Sequence, residues 1–211
     1  FEKLNVRQRE AARADSAPLL ILAGAGTGKT NTLAHRVAHL LLQGTDPARI
    51  LLLTFTRRAA QEMTRRAQRI AGETLKSVRL PWSGTFHSIA NRLIRKNCKR
   101  VGLGENFSVL DRGDAADLLD VVRHDLGYSK VSGENQKRFP RKDTCLAIYS
   151  HRVNTQGSLA ATLESAFPWC AEWEDELKKL FGAYVEKKLD NQALDYDDLL
   201  LYWHAMMADD A

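Results

Sequence analysis

No apolar run in this 211-residue chain approaches the roughly 18 residues needed to cross a bilayer, so no membrane span is encoded. The opening segment EKLNVRQRE lacks the apolar core of a secretory leader. The chain begins at Phe1 rather than Met, which we read as a piece processed or cut from something longer. Cysteine is scarce. Cys98, Cys145 and Cys170 are odd in number, far apart and never in a CxxC pair, which argues against both a disulfide framework and a zinc site. Reduced thiols in a cytosolic protein are the expectation. His35 and His39 stand four apart, but Arg36 occupies the position where HExxH needs Glu. Internal repeats and low-complexity tracts are also missing.

What is present is the composition of a folded chain. Hydrophobic residues make up 44% and charged residues 27%, enough to bury a sizeable core in one large domain or a domain with an insertion. The net charge of +5 conceals an asymmetry. Residues 1–106 carry 19 Lys+Arg against 7 Asp+Glu, a balance of +12, whereas residues 107–211 carry 12 against 19, a balance of −7. The first half is therefore the natural place for a polyanion.

That half alternates short apolar runs with amphipathic patterns. PLLILA, ending at glycines, reads as a buried strand, RILLLTF as a second, and a third is expected near VRLPWSGTF. Leu33, Val37, Leu40 and Leu41 recur at helical spacing from Thr30 to Leu42, with Gly44 as the stop. Ala59, Ala60, Met63, Ala67 and Ile70 line a second helix closed by Gly72. Phe86, Ile89, Ala90, Leu93, Ile94 and Val101 mark a third, ending at Gly102. Strands and helices in alternation imply an α/β fold with a parallel sheet. Beyond about Glu105 the strand signal stops. Asp111 or Asp114 could cap a helix carrying Leu118, Leu119, Val122 and Leu126, with Gly127 as its stop. After the polar connector SGENQKRFPRKD come a helix through Leu146 and Tyr149 and another through Trp173, Leu177, Leu180, Phe181 and Tyr184. We read an all-helical insertion there.

Between the first apolar run and the first helix lies AGAGTGKT, residues Ala23 to Thr30. It fits the phosphate-binding loop G-x-x-x-x-G-K-[ST] with Ala23 in the first position. Gly24, Gly26 and Gly28 let the backbone turn so that N–H groups converge on phosphate oxygens. The helix that follows adds its positive dipole end. Lys29 would reach the β- and γ-phosphates, and the Thr30 hydroxyl would ligate Mg²⁺. A Gly-rich turn without a ligand is the plain alternative, and the flanking strand and helix patterns argue against it.

The segments LNVRQREAA, LAGAGTGKTNTLAHRVAHLL, ILLLTFTRRAAQEM and GTFHSIANRLIR, in this order, resemble the opening motifs of superfamily 1 DNA helicases of the UvrD/Rep/PcrA family. NFSVLD at 106–111 and LDYDDLL at 194–200 resemble it too, so the likeness runs nearly the whole length. The resemblance implies an incomplete P-loop NTPase (RecA-like) parallel sheet with an inserted all-helical subdomain. Its expected divisions are residues 1–106 for the first motor domain, 107–191 for the insertion and 192–211 for the return to the motor domain. It implies ATP and Mg²⁺ as cofactors, single-stranded DNA and single-/double-strand junctions as partners, and a bacterial cytosolic or nucleoid location, with translocation 3′ to 5′. It gives no protein partner.

By the same resemblance, Gln8 matches the glutamine whose amide reads the adenine edge, although from sequence alone it is equally an exposed helix residue. The nucleotide would lie against Gln8, Ala23, Gly24, Ala25, Gly26, Thr27, Gly28, Lys29, Thr30 and Asn31. Asn31 departs from the Arg common in relatives. Thr54, Phe55, Thr56, Arg57 and Arg58 sit where a strand gives way to a helix, the ligand-bearing edge of such sheets. Hydroxyls, helix N-terminal amides, two guanidiniums and an aromatic that could stack on a base suit sequence-tolerant single-strand binding. Phe55 could equally be a core aromatic. Thr85, Phe86, His87 and Ser88, after Gly84, form a second such turn suited to phosphate contact. Arg65, Arg66 and Arg69 read as a solvated helix face. KRFPRKD at 137–142 is a basic cluster for which duplex contact and an irregular loop both stay open.

Asp195, Asp197 and Asp198 could suggest a metal, but a helix start capped by carboxylates is the favoured reading. The family's strand-borne acidic motif, approximately DEYQD, has no counterpart after Thr30. That motif supplies the Mg²⁺ carboxylate and positions the attacking water. The chain is therefore expected to bind nucleotide weakly and hydrolyse it hardly at all. Other classes that the P-loop allows are a fragment of an AddA/RecB-type helicase–nuclease subunit, a non-motor nucleotide-binding module, and a P-loop kinase or GTPase. The last is disfavoured because TFTRRAAQEM and GTFHS have no role in it.

Overall fold

The computed structural model describes residues 4–14, 18–72, 78–128 and 138–209. The chain forms two compact units, residues 1–89 and 90–211, and the division falls inside one helix.

In the first unit, helix α1 (Val6–Arg13) starts at Asn5, whose side chain accepts a hydrogen bond from the Gln8 amide. Helix α2 (Lys29–Leu42) follows the glycine-rich loop. It carries a buried face of Ala34, Val37, Ala38 and Leu41. Arg36 on α2 donates to the Ala11 and Ala14 carbonyls, which end α1. Helix α2 stops as expected before Gly44, which holds a left-handed φ of 84°. Strand β1 (Leu51–Thr54) leads into helix α3 (Arg57–Ala71), and strand β2 (Trp82–Thr85) leads into helix α4 (Phe86–Lys96). The two strands run parallel, with Leu51 opposite Trp82 and Thr54 opposite Thr85. A core of Ala34, Val37, Leu41, Ile50, Leu52, Met63, Ala67 and Leu80 binds α2 and α3 to β1.

PLLILA is not a strand. No residue from 18 to 24 is in strand conformation, and Leu19, Leu20 and Leu22 are exposed. An apolar run becomes a strand only when a neighbouring ladder takes its amides and a layer covers its side chains. Among the described residues β1 pairs with β2, and nothing pairs with 18–24. The third helix is also shorter than its pattern. It ends at Lys96, and a single 3-10 turn, Cys98–Val101, carries the chain to Gly102. Asn97 stands at the break, its side-chain amide donating to the Leu93 carbonyl. Such back-bonding offers the backbone an alternative to continuing the helix.

The second unit has a helical part and a short sheet. Strand β3 (Ser108–Val109) precedes helix α5 (Arg112–Asp125), which is capped by Asp111 in a reciprocal box with Asp114. Helices α6 (Lys142–Thr155), α7 (Leu159–Ala166) and α8 (Glu174–Asp190) follow. Strand β4 (Ala193–Leu194) returns parallel to β3, and helix α9 (Tyr196–Asp209) completes the order. The expected absence of strands between 111 and 190 holds for the described residues. Leu119, Ile148, Leu163, Leu177, Leu180 and Tyr184 centre the helical core. A second cluster of Ala90, Ile94, Phe107, Leu194 and Leu199 backs β3 and β4. Helix α7 escaped the sequence reading, although Ser158 before Leu159 is a cap signal and accepts from the Ala161 amide.

All three cysteines are buried and free. Burial pushes the Cys145 thiol up to about 12. No helix among the described residues is long and apolar enough to cross a membrane.

Candidate nucleotide and nucleic-acid site

The glycine-rich loop has no regular secondary structure and hands the chain to α2 through Gly28, which holds a left-handed φ of 85°. Gly26 is left-handed too, at 75°, and a Cβ there would meet nothing within 4 Å, so the concave side is open. At Gly28 a Cβ would lie 2.9 Å from Gln8 Nε2. Only glycine satisfies both the backbone angle and this approach. No side chain caps the start of α2, and its first intrahelical bond runs from the Thr32 amide to the Gly28 carbonyl. The amides of Lys29, Thr30 and Asn31 therefore have no acceptor within their own helix, and they sit at its positive end. This is an anion cradle by construction.

Lys29 and Thr30 are exposed. The Lys29 ammonium bends back onto the loop, 2.7 Å from the Ala23 carbonyl and 2.5 Å from that of Gly24. Thr27 Oγ1 also donates to the Gly24 carbonyl, at 2.8 Å. The loop's outward carbonyls are thus held by the lysine that would otherwise meet a phosphate. Gln8 reaches the same loop from α1, its Nε2 donating to the Thr27 carbonyl at 2.9 Å. A cleft of about 510 Å³, open to solvent, is lined by Asn5, Gln8, Ile21, Ala23, Thr27 and Lys29, among others. That volume is within the range of small-ligand sites. Ala25 and Asn31 flank the cradle, and the Asn31 carbonyl lies 2.8 Å from His35 Nδ1. With that bond and its burial, His35 is a packed residue of α2.

The two other sequence-flagged turns lie side by side. Thr54 and Thr85 are register partners at the carboxyl ends of β1 and β2, and each strand continues directly into a turn and a helix. Thr56 caps α3 by accepting from the Ala59 amide at 3.1 Å, and Thr54 Oγ1 donates to the Thr56 carbonyl at 2.9 Å. Thr85 Oγ1 accepts from the Ser88 amide, and Ser88 Oγ donates back to the Thr85 carbonyl. Gly84 is required here because a Cβ would lie 2.5 Å from that Ser88 oxygen. Of the two readings left open for Phe55, the core aromatic is overturned: Phe55 is 93% exposed. Its ring lies 5.8 Å from that of Phe86, which is also exposed. Arg57, Arg58 and His87 are exposed beside them. Two hydroxyl-capped helix starts, two arginines and an aromatic pair therefore share one strand-end face. Arg66 on α3 pairs with Glu62, as suits a solvated helix face.

The acidic motif has a structural role, as expected, with partners that the sequence reading missed. Asp195 and Asp198 form a reciprocal capping box, each backbone amide donating to the other's carboxylate at 2.9 Å. Both carboxylates are buried, and both hold Lys188 Nζ, at 2.6 Å for Asp195 and 2.5 Å for Asp198. Tyr184 donates to Asp195 at 2.9 Å, and Lys188 also donates to the Tyr149 hydroxyl at 3.2 Å. Burial raises Asp198, and Lys188 only partly offsets it. Burial alone would lower Lys188, yet Asp198 and Asp195 together hold it above the ordinary lysine value. Burial likewise pushes the Tyr149 phenol up to about 12. Lys188 occupies the apolar stripe that Leu177, Leu180, Phe181 and Tyr184 mark on α8, which was the available signal. Asp197 instead accepts from Asn154. Among the described residues no group of His, Cys, Asp and Glu could hold a metal ion. In KRFPRKD, Lys137 lies outside the described residues and Lys142 pairs with Asp117.

A sequence model of the UvrD/REP helicase N-terminal domain matches residues 4–211. The chain is 35% identical over 199 residues to an ATP-dependent DNA helicase PcrA of Bacillus subtilis, covering 94% of this chain and 25% of that protein. It is 32% identical to proteins of the same name from Staphylococcus epidermidis, over 95% of this chain and 26% of theirs, and Staphylococcus aureus, over 94% and 26%. The chain thus spans about a quarter of the length of these relatives. With the match extending over almost every residue, the chain belongs to the UvrD/REP helicase N-terminal domain family.

Proposed function

We propose that this chain is the ATP- and single-stranded-DNA-binding portion of the first motor domain of an ATP-dependent DNA helicase. The observation that carries the reading is the uncapped, exposed start of α2 behind a left-handed Gly28, with Lys29 and Gln8 converging on the loop. The triphosphate lies along Ala23 to Thr30, where Lys29 leaves the Ala23 and Gly24 carbonyls for phosphate oxygens. Thr30 offers its hydroxyl to Mg²⁺, which when bound neutralises charge on the β- and γ-phosphates. The open space at Gly26 and the free helix end fit such a group. Thr54, Phe55, Thr56, Arg57 and Arg58 with Thr85, Phe86, His87 and Ser88 hold the DNA strand, hydroxyls and amides on phosphate and the aromatic pair against bases.

The fold assigned with this reading is RecA-like. The helical segment 107–191 is an insertion, supported by the β3–β4 pair that joins its two ends. A bacterial cytosolic setting, single-/double-strand junctions as substrates and 3′ to 5′ movement go with the family. Turnover by these 211 residues is negligible, because no strand-borne Asp-Glu follows the P-loop in the sequence. The nearest strand-end carboxylate, Asp195, is committed to Lys188. The test is nucleotide binding and phosphate release by the purified chain, with and without single-stranded DNA. Binding that Lys29→Ala abolishes, without phosphate release, is expected. DNA-stimulated turnover would overturn the inactivity, and equal binding by Lys29→Ala would overturn the site.

A further inference from the structure

The amide of Gln8 is held at both ends by backbone groups of fixed polarity. Its Oε1 accepts from the Asn5 amide at 3.0 Å, and its Nε2 donates to the Thr27 carbonyl at 2.9 Å. An N–H cannot accept and a carbonyl cannot donate, so only one of the two amide orientations satisfies both contacts. The Asn5 side chain sets this geometry, since its Oδ1 accepts from the Gln8 backbone amide at 2.9 Å and fixes residue 8 in the first turn of α1. After these bonds Gln8 retains one N–H and one lone pair. Both belong to a side chain that lines the cleft beside the phosphate loop.

We propose that Asn5 is a positioning residue for base selection, pinning the Gln8 amide so that its remaining donor and acceptor match adenine and reject guanine. The inference rests on the P-loop reading above. Adenine presents an acceptor at N7 and a donor at N6, which one free N–H and one free lone pair satisfy together. Guanine presents acceptors at both N7 and O6. An unconstrained amide could offer guanine both N–H groups. Here the Thr27 carbonyl takes one of them, and the Gln8 lone pair faces O6 without a proton between them. Thr27 belongs to the phosphate loop, so the groups that fix the amide belong to both the base side and the phosphate side of the cleft.

The test uses the full 211-residue chain and competition of ATP, GTP and inorganic tripolyphosphate against a fluorescent ATP analogue. Wild type should prefer ATP over GTP by about tenfold, the equivalent of one net hydrogen bond. Asn5→Ala, which loses the cap, should bring the two nucleotides within about twofold while tripolyphosphate binds as in wild type. Asn5→Asp keeps a cap acceptor and should retain the preference. An unchanged preference in Asn5→Ala, or none in wild type, overturns the positioning role and leaves the phosphate site standing. Loss of tripolyphosphate along with both nucleotides in Asn5→Ala makes Asn5 merely structural and overturns it too. If tripolyphosphate fails to bind wild type, the P-loop reading falls and this inference with it.

Discussion

Replacing Lys188 by Met removes the only cation that the two buried carboxylates of the α9 capping box share. Lys188 is 2% exposed, and Asp195 and Asp198 are 3% and 7% exposed, so water cannot take its place. Breaking a buried pair from one side costs about 3–5 kcal/mol, because the charge left behind is unpaired. Here two like charges would remain, and Lys188→Met should fall in the upper part of that range. Protonation limits the loss. The folded Asp198 already lies above its ordinary value of 3.8, so the native state binds that proton more tightly than the unfolded chain. Stability from this group therefore falls as pH rises through the window between 3.8 and its raised value. Lys188 is raised in the fold, so its contribution is complete below the ordinary lysine value and is lost only above it. In the variant the raised Asp198 should rise further, and the destabilisation should be smaller in mildly acidic than in neutral buffer. Amide hydrogen exchange of α6 and α8 is the assay, because the chain forms two compact units and one unfolding midpoint would mix them. Adding Asp195→Asn and Asp198→Asn should recover much of the loss. Exchange within about 1 kcal/mol of wild type, or a loss that grows on acidification, would refute the reasoning.

Phe55→Ala should leave stability within about 0.5 kcal/mol, since the ring is solvated, yet weaken single-stranded DNA binding by about 1–3 kcal/mol. Fluorescence anisotropy with a labelled oligonucleotide measures the second effect, and unchanged affinity would remove Phe55 from the DNA face. Cys145, held up to about 12 by burial, should be inert to a thiol reagent in the native chain and react once urea unfolds it. Fast modification without denaturant would contradict its burial.

The chemistry-bearing turns were legible because each combines a local pattern with a local consequence. Gly28 before Lys29, Thr56 before Arg57 and Thr85 before Phe86 are helix starts, and such starts depend on neighbours within a few residues. The helical stripes of α3 and α8 were readable for the same reason. Pairing partners were not, because a ladder joins residues far apart in sequence. PLLILA has the composition of a buried strand, but nothing within the run specifies what it pairs with. Phe55 illustrates the limit for single side chains: at a strand end the pattern allows either face, and the turn capped by Thr56 decides it. Lys188 was hidden for a different reason. Its meaning depends on Asp195 and Asp198, which reach it only when α8 and the start of α9 fold back around the turn at 191–192.

The β3–β4 pair has a consequence for how this chain tolerates change. Ser108 donates to the Gln192 carbonyl at 2.9 Å and Leu110 to that of Leu194 at 2.8 Å, so the two ends of the helical segment meet at strand spacing. A segment whose ends are joined behaves as a cassette. Doubling a flexible stretch inside it costs only about 0.6 kcal/mol in closure entropy, while the flanking strands keep their register. The helical segment can therefore diverge, lengthen or be exchanged for another without disturbing the residues on either side of the seam.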